Sequence, residues 1–454
     1  MEFLLYGLIF FLFLLAISDL IVGVSNDAVN FLNSAIGSRI ASRRTIMIIA
    51  TLGILVGVTF SSGMMEVARK GIFHPQKFIF QELLIIFLAV MITDVLLLDA
   101  FNTFGFPTST TVSIVFELLG AAVCISTIKV VNNGEGIASI ANYINSQKAL
   151  AIIMGILLSV VVAFTAGAII QFFSRLLFTF EFRKKIKRYG AIWGGIALSA
   201  ITFFILVKGA KGSVLLPKET RTIITNNAWL IVGISFVIWT IFFQIISITT
   251  KFDIFKIIVL AGTFALALAF AANDLVNFIG VPLAGFSAHK AALAADSSNP
   301  LTVTMEALQG KAKGHTIFLI ISGIVMAVTL WVSKKARSVT KTEVDLGRQE
   351  EGMERFGSSL FARQLVRLAC NAHSAVLKII PKSMQDKIAK RFDNSSLEDA
   401  SDAPAFDVIR ASVNLMVASS VISFATSQKL PLSTTYVTFM VAMGSSLSDC
   451  AWGR

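Results

Sequence analysis

The chain has 454 residues, of which 55% are hydrophobic and only 15% charged, and its formal net charge is +12. Soluble proteins average about 45–50% apolar and about 25% charged residues, so this composition and a mean hydropathy of +0.78 exclude an ordinary soluble fold. The three cysteines have neither disulfide nor zinc-ligand spacing. The basic excess is not interleaved with aromatic residues, which indicates basic cytoplasmic loops and no nucleic acid partner.

Apolar residues fall into blocks of roughly 20, the length that a helix needs to cross a hydrocarbon core of about 30 Å. The pattern predicts an all-α polytopic protein in the lipid bilayer, with eleven segments at about 3–24, 44–66, 78–101, 107–127, 148–178, 191–208, 227–248, 255–277, 315–333, 406–428 and 431–449. The first block has no basic region before it and no cleavage site after it, so we interpret it as a retained helix. Residues 99–111 and 423–435 are polar at membrane depth, which predicts re-entrant helical hairpins there.

Residues 334–404 interrupt this pattern with many Lys, Arg, Glu and Asp, and we expect a soluble charged insert. Four blocks separate the insert from the basic loop 183–188, so both are expected on one side of the membrane. The positive-inside rule makes that side cytoplasmic and the N-terminus external, in the plasma (inner) membrane.

Two short elements occur twice, in the same order in each half of the chain. Residues 26–31 (NDAVNF) match 273–278 (NDLVNF), and residues 107–111 (PTSTT) match 431–435 (PLSTT). Seven crossings separate the two N-D elements, so the copies are predicted to be inverted repeats that share a midplane site.

The repeat predicts a division of the chain into five parts. These are a first repeat (1–180), connecting helices (181–254), the first part of the second repeat (255–333), the insert (334–404) and the second part of the second repeat (405–454).

The N-D elements place a carboxylate between asparagines at the end of an apolar run, with no Lys or Arg within a helical turn. A charge at the bilayer centre costs about 2.5–3.5 kcal/mol on insertion scales, so it needs a compensating cation or a cavity. An all-oxygen ligand set suits sodium, or a proton on the carboxylates. The predicted cation ligands are Asn26, Asp27, Asn30, Asn273, Asp274 and Asn277. For a single copy, a structural buried Asp would be the preferred interpretation.

The P-x-S-T-T elements predict two helix starts with proline at the first helical position and three hydroxyls beside free N–H groups. Together they are suited to a tetrahedral oxyanion. The predicted anion ligands are Ser109, Thr110, Thr111, Ser433, Thr434 and Thr435. The alternative is an ordinary N-cap at each helix. Asp94, Asp99 and Glu117 lie near the first cluster without duplicates, so a proton, a second cation or structural hydrogen bonds stay open for them.

The chain resembles the inorganic phosphate transporter family, whose mammalian relatives are sodium–phosphate cotransporters. The segments that carry the resemblance are 23–38, 65–72, 105–111, 271–278 and 429–435. It implies phosphate as the substrate, sodium in preference to a proton as the coupling ion, inverted repeats with helical hairpins and a homodimer. It also implies that the protein is not an enzyme and needs no cofactor beyond the coupling ion.

The chain departs from the family pattern at three places. Val24-Ser25 and Ala271-Ala272 replace the usual Gly-Ala before Asn-Asp, and Val112 and Tyr436 stand where many relatives have His. Relatives continue through at least one further membrane helix, so we expect the chain to be truncated at its C-terminus. Two alternatives stay open: a carrier of sulfate or another tetrahedral oxyanion, and, more remotely, an intramembrane aspartyl hydrolase built on the two buried acids.

Overall fold

The computed structural model describes residues 2–59, 71–180, 182–203, 205–206, 217–250, 252–295, 299–310, 316–348, 359–360, 363–364, 367–368, 371, 381–392, 404–427 and 432–449. No strand occurs among these residues, and the all-α prediction is confirmed. The described α-helices are α1 (Glu2–Asp27), α2 (Val29–Gly37), α3 (Arg43–Val58), α4 (Phe80–Phe104), α5 (Thr110–Asn132), α6 (Ser146–Phe178), α7 (Arg183–Phe203), α8 (Lys218–Asn226), α9 (Ala228–Thr249), α10 (Ile254–Ala294), α11 (Thr316–Val332), α12 (Lys334–Leu346), α13 (Lys382–Ala389), α14 (Val408–Ser427) and α15 (Thr434–Ser448).

Each of the eleven apolar blocks contains one of these helices. Six spans in the described part are long and apolar enough to cross a membrane by themselves. They are Phe3–Gly37, Phe80–Phe104, Thr110–Asn132, Ser146–Phe178, Ala228–Thr249 and Ile254–Ala294. Helices α11 and α12 form a pair bent by 70° that would add a seventh. The chain is therefore a multi-pass membrane protein.

Helix α10 lies at the centre of the molecule, in contact with α1, α2, α3, α4 and α14. It is apolar on all sides for most of its length, and a helix of this kind is stable only when it is surrounded. Helix α3 approaches it very closely at two glycines. A Cβ at Gly57 would lie 2.4 Å from the Leu268 carbonyl oxygen, and one at Gly53 would lie 2.6 Å from that of Phe264. Only glycine permits this backbone contact, which is typical of packed membrane helices.

Helices α6 and α15 make a similar crossing. A Cβ at Gly444 would lie 2.1 Å from the Phe164 carbonyl oxygen, and a Cβ at Gly167 would lie 2.5 Å from that of Val441. This reciprocal contact fixes α15, which begins with one of the two predicted hydroxyl clusters.

The first N-D element ends α1 at Asp27, as the sequence predicts, whereas the second does not end its helix. Asp27 lies inside the span Phe3–Gly37, where Ala28 separates α1 from α2, and Asp274 lies inside the 41-residue helix α10. The residues after each acid are themselves apolar or small, so the helical run continues. Asp274 therefore lies well inside a long helix, and Asp27 lies at the α1–α2 junction within one continuous apolar span.

The first residues of the expected insert form a helix that packs on the helical unit. Helix α12 contacts α2 and α1, and its Ala336, Val339 and Val344 are buried. Much of the remaining insert lies outside the described residues.

Candidate functional site

The predicted site residues come together from four separate places in the chain. The junction of α1 and α2 supplies the first N-D element, the middle of α10 supplies the second, and the starts of α5 and α15 supply the two hydroxyl clusters. The side chains are buried, with Asn277 half-buried. Gly105 creates the start of α5, because its left-handed backbone (φ 70) ends α4 and turns the chain towards Ser109.

Asp27 joins the two hydroxyl clusters. Its Oδ2 accepts a hydrogen bond from Thr110 Oγ1 at 2.8 Å, and its Oδ1 accepts one from Thr435 Oγ1 at 3.1 Å. Thr110 belongs to the same half of the chain as Asp27, whereas Thr435 belongs to the other half. One carboxylate therefore holds both helix starts.

Asp274 repeats this arrangement with the halves exchanged. Thr434, from its own half, donates to Oδ2 at 2.5 Å, and Thr111, from the other half, donates to Oδ1 at 3.4 Å. In each copy the acid accepts from the first threonine of its own cluster and from the second threonine of the opposite one. The two acids therefore exchange their hydrogen-bond partners between the halves in a reciprocal manner.

The asparagines that follow the acids obey the same rule. Asn30 Nδ2 donates to Thr435 Oγ1 at 3.0 Å, and Asn277 Nδ2 donates to Thr111 Oγ1 at 3.0 Å. Each amide thus reaches the second threonine of the opposite cluster. Thr438, one turn into α15, donates to Asn30 Oδ1 at 3.2 Å.

The serines are N-caps, as in the alternative interpretation of these motifs. Ser109 Oγ accepts from the Val112 N–H at 3.2 Å, and Ser433 Oγ accepts from the Tyr436 N–H at 3.0 Å. The two serine hydroxyls also contact each other at 2.6 Å. The prediction of proline at the first helical position is wrong for Pro107, because α5 begins at Thr110 and Ser109 is the cap; Pro431 lies outside the described residues.

Helix geometry still leaves donors at these starts. The first N–H groups of a helix have no acceptor within it, and the serine caps satisfy only those of Val112 and Tyr436. The N–H groups of Thr110, Thr111, Thr434 and Thr435 therefore keep the donor capacity and the positive helix end that attract an anion.

The sequence predicts Asn26 as a cation ligand, but its side chain makes hydrogen bonds with the end of α4 and the segment after it. Its Nδ2 donates to Asn102 Oδ1 and to the Phe106 carbonyl oxygen, both at 3.0 Å, and its Oδ1 accepts from the Thr108 N–H at 2.8 Å. Asn102 in turn donates to the Val22 carbonyl oxygen at 2.7 Å. Asn26 thus positions the segment that leads into α5. Asn273, on α10 beside Asp274, is buried.

The remaining acids separate into two environments. Asp99 is half-exposed and pairs with Lys335 at 2.6 Å, which gives it a structural partner. Asp94 is fully buried and faces Glu117 and Ser113. It also faces Asp19, an acid that the sequence interpretation missed although it stands alone among apolar residues of the first block. Both oxygens of Asp19 and of Asp94 have no hydrogen-bond partner among the described residues.

A second feature that the sequence interpretation missed is an ion network at the far end of α15. Arg175 of α6, with no exposed side-chain surface, binds Asp449 with both Nε (2.9 Å) and Nη2 (2.6 Å). Its Nη1 binds Asp407 at 2.6 Å, and Gln171 donates to Asp449 at 2.8 Å. The helix that begins with Ser433–Thr435 is therefore anchored at its other end by a bidentate arginine.

A multi-pass helical fold with a buried polar site, at which two repeated sequence elements meet, defines a membrane transport protein. The chain belongs to the phosphate transporter family, whose model matches residues 23–342. This is a family of transporters and not of enzymes, so the aspartyl hydrolase alternative is dropped.

Individual relatives agree with this assignment. The chain is 25% identical over 259 residues to a candidate phosphate permease of Pyrococcus furiosus, which covers 56% of this chain and 60% of that protein. It is 26% identical over 272 residues to one of Thermococcus kodakarensis, covering 56% and 61%. The match therefore spans about 60% of the length of these relatives. A solved structure entitled "The sodium-dependent phosphate transporter" has the same fold, with a TM-score of 0.64 and 17% identity over 97% of this chain and 90% of that one.

Proposed function

We propose that this chain carries inorganic phosphate across the membrane together with a cation, sodium in preference to a proton, by alternating access of the central site. The observation that carries the proposal is the reciprocal contact of Asp27 and Asp274 with both hydroxyl clusters. The family assignment and the sodium-dependent transporter of the same fold support it.

The cation would bind at the two acids. Asp27 and Asp274 supply negative charge, and Asn30 and Asn277 complete the set with their amide oxygens. Asn277 Nδ2 donates to Asp274 Oδ1 at 3.3 Å, so this amide would turn its oxygen towards a bound cation. Hard oxygen ligands of this kind suit sodium. The asparagines before the acids, Asn26 and Asn273, belong to the proposed ligand set as well, although the Asn26 side chain braces the α4–α5 segment in the arrangement described here.

The anion would bind between the two helix starts. The hydroxyls of Ser109, Thr110 and Thr111 approach it from α5, and those of Ser433, Thr434 and Thr435 approach it from α15. Because no lysine or arginine is among the proposed ligands, phosphate would be held by N–H groups, hydroxyls and the neighbouring cation. Such a site releases its ligand once the cation leaves.

The limited number of hydroxyl protons at the site links cation binding to phosphate binding. Each threonine hydroxyl has one proton to donate, and here Thr110 and Thr435 give theirs to Asp27. A cation at Asp27 would compete for the same carboxylate oxygens and would free those protons for phosphate. Each ligand then tightens the binding of the other by an equal factor, as linkage requires.

The exchange of partners between halves also fits alternating access. In an inverted-repeat transporter, one repeat rocks against the other around a shared site. Each acid accepts one hydrogen bond from a threonine of its own half of the chain and one from a threonine of the other half. Rocking would break the contacts between halves and keep those within each half.

The proposal includes the setting of the protein. We place it in the plasma membrane with the N-terminus external, and as a homodimer. Sulfate remains the alternative substrate, because hydroxyls and N–H groups distinguish tetrahedral anions poorly.

Uptake of labelled phosphate into proteoliposomes tests the proposal, with sodium and proton gradients imposed separately and sulfate as competitor. We expect a sodium gradient to drive the uptake of labelled phosphate. Excess unlabelled phosphate should suppress this uptake, whereas the same concentration of sulfate should not. Uptake indifferent to both gradients would contradict cation coupling, and stronger inhibition by sulfate than by phosphate would overturn the substrate assignment.

A further inference from the structure

A basic cavity of about 290 Å³ lies apart from the central site, between α2, the start of α3, the end of α11 and α12. Leu32, Ile36 and Leu330 contribute apolar lining. The charged lining residues are Arg39, Arg43, Arg337, Lys341, Arg348 and Asp345. The five basic side chains belong to exposed residues, so their charged groups are accessible.

Among the described residues that line this cavity, five are basic and one, Asp345, is acidic. Asp345 pairs with Arg348 at 2.9 Å, one turn along the same helix. Arg43 and Arg337 belong to different helices and line the same cavity, so their like charges repel. Clustered like charges raise the free energy of the folded protein unless a counter-ion joins them.

The positions of these cations on their helices add to that cost. Arg43 opens α3 and Arg337 lies in the first turn of α12, and neither first turn contains an acid. The N-terminal end of a helix carries partial positive charge, so cations are disfavoured there and anions are favoured. Two helix starts and several cations thus raise the positive potential of one cavity. Arg39 also has a left-handed backbone (φ 49), which is uncommon for a residue other than glycine.

The cavity lies beside a surface suited to lipid. On α11, Val332 is 72% exposed and Val328 is 57% exposed. Trp331 is partly exposed, and its Nε1 donates to Thr51 at 2.9 Å. Tryptophan is enriched where the membrane meets water, and basic pockets between helices at that level bind phosphate-bearing headgroups.

The cavity is also connected to the central site. Asn33 of α2 donates to Glu343 of α12, and Ser333, the cap of α12, contacts Ser25 of α1 at 2.7 Å. Helix α2 also carries Asn30, which donates to Thr435. A ligand that draws α12 and α3 together would therefore hold the helix that supports one acid–hydroxyl set.

We propose that this cavity is a second anion site, distinct from the central one, that binds a phosphate-bearing ligand and stabilises the arrangement of α2, α3 and α12. Two sources share this chemistry: the headgroup of an anionic phospholipid and free inorganic phosphate. Arginine forks bind the oxygens of either one in a bidentate manner.

The test uses the full chain in lipid nanodiscs that contain either phosphatidylcholine alone or phosphatidylcholine with phosphatidic acid. The variant is Arg337→Gln/Lys341→Gln, and the matched control is Lys382→Gln/Lys387→Gln, which removes two exposed charges from α13. Retention of phosphatidic acid is measured by native mass spectrometry. Each cation near an anionic headgroup contributes about fivefold in binding, so the variant is expected to lose about 25-fold while the control is unchanged.

A second arm distinguishes the two sources. Binding of inorganic phosphate is measured in phosphatidylcholine nanodiscs with Thr110→Val/Thr434→Val present to weaken the central site. Residual binding that disappears with Arg337→Gln/Lys341→Gln supports free phosphate as the ligand, whereas selective retention of phosphatidic acid supports a lipid headgroup. Binding of neither ligand, or equal loss in the α13 control, overturns the proposal.

Discussion

The hydroxyls of Ser109 and Ser433 lie 2.6 Å apart, although 324 residues separate them in the chain. Each serine caps its own helix, so the starts of α5 and α15 face each other directly. Two positive helix ends in contact repel unless something negative lies between or beside them. Asp27 and Asp274 supply that charge here, and phosphate would add to it in the loaded protein.

The two acids are expected to be functionally equivalent. Asp27→Asn and Asp274→Asn each replace one carboxylate oxygen by an amide group, so each should lower the apparent affinity for the coupling cation by at least about tenfold, as expected for loss of one charged ligand. Sodium dependence of phosphate uptake at saturating phosphate measures this. The control is Asp99→Asn, which removes an exposed ion pair and should change the sodium dependence less than about twofold. A large effect of only one of the two acids would contradict the functional equivalence expected from their reciprocal hydrogen bonds.

The second threonine of each cluster is expected to govern phosphate affinity. Thr435→Val would leave Asn30 and Asp27 each without one hydrogen bond, at a cost of about 1–3 kcal/mol, or about 5- to 150-fold. We expect that increase in the KM for phosphate, whereas Thr435→Ser, which keeps the hydroxyl, should restore most of the affinity. Thr103→Val, which loses an exposed hydroxyl, is the control. If the serine variant behaved like the valine variant, the hydroxyl would have no special role.

The bracing role of Asn26 predicts a different result from that of the acids. Asn26→Ala removes three hydrogen bonds that position residues 102–108, so the loss should affect stability and both ligands together, not the cation alone. Asn102→Ala should have a similar effect. Because the two side chains bind each other, the double variant should lose less than the sum of the single variants, by about 0.5–3 kcal/mol. Thermal unfolding in detergent, with and without sodium, checks this, and strict additivity would contradict it.

The sequence was informative where a short element was duplicated, and much less so elsewhere. The N-D and S-T-T pairs identified the residues that meet at the site, because a repeated polar element at membrane depth has few structural explanations. The partner of each residue could not be read from the pattern. Whether Thr435 contacts Asp27 or Asp274 depends on how α15 is oriented against α1, and that orientation is set by contacts such as Gly444 with Phe164.

Other features lacked a distinguishing signal. Asn102 is one polar residue among several near the end of α4, so its pairing with Asn26 left no mark in the sequence. Asp19 stands in an apolar block, and a single acid there had no second copy to support it. Helix α12 is charged on one face, and its sequence therefore indicates part of a soluble insert, although its other face packs on α2. Amphipathic helices at the edge of a membrane unit are easily assigned to loops.

The ion network at the end of α15 gives the last prediction. Arg175→Met would leave Asp449 without its bidentate partner and Asp407 without its contact to Nη1, and breaking a buried ion pair costs about 3–5 kcal/mol. The unfolding temperature should fall strongly, whereas Asp99→Asn, which breaks a half-exposed pair, should change it little. If the network acts by burying charge, Arg175→Met combined with Asp449→Leu should recover part of the stability, because one unpaired carboxylate is then absent.

If the network also holds α15 in place for transport, this double variant should still take up phosphate more slowly than the unchanged protein at equal folded amounts. Full recovery of uptake together with stability would assign Arg175 a purely structural role, whereas recovery of stability alone would connect this end of α15 to the site at its start.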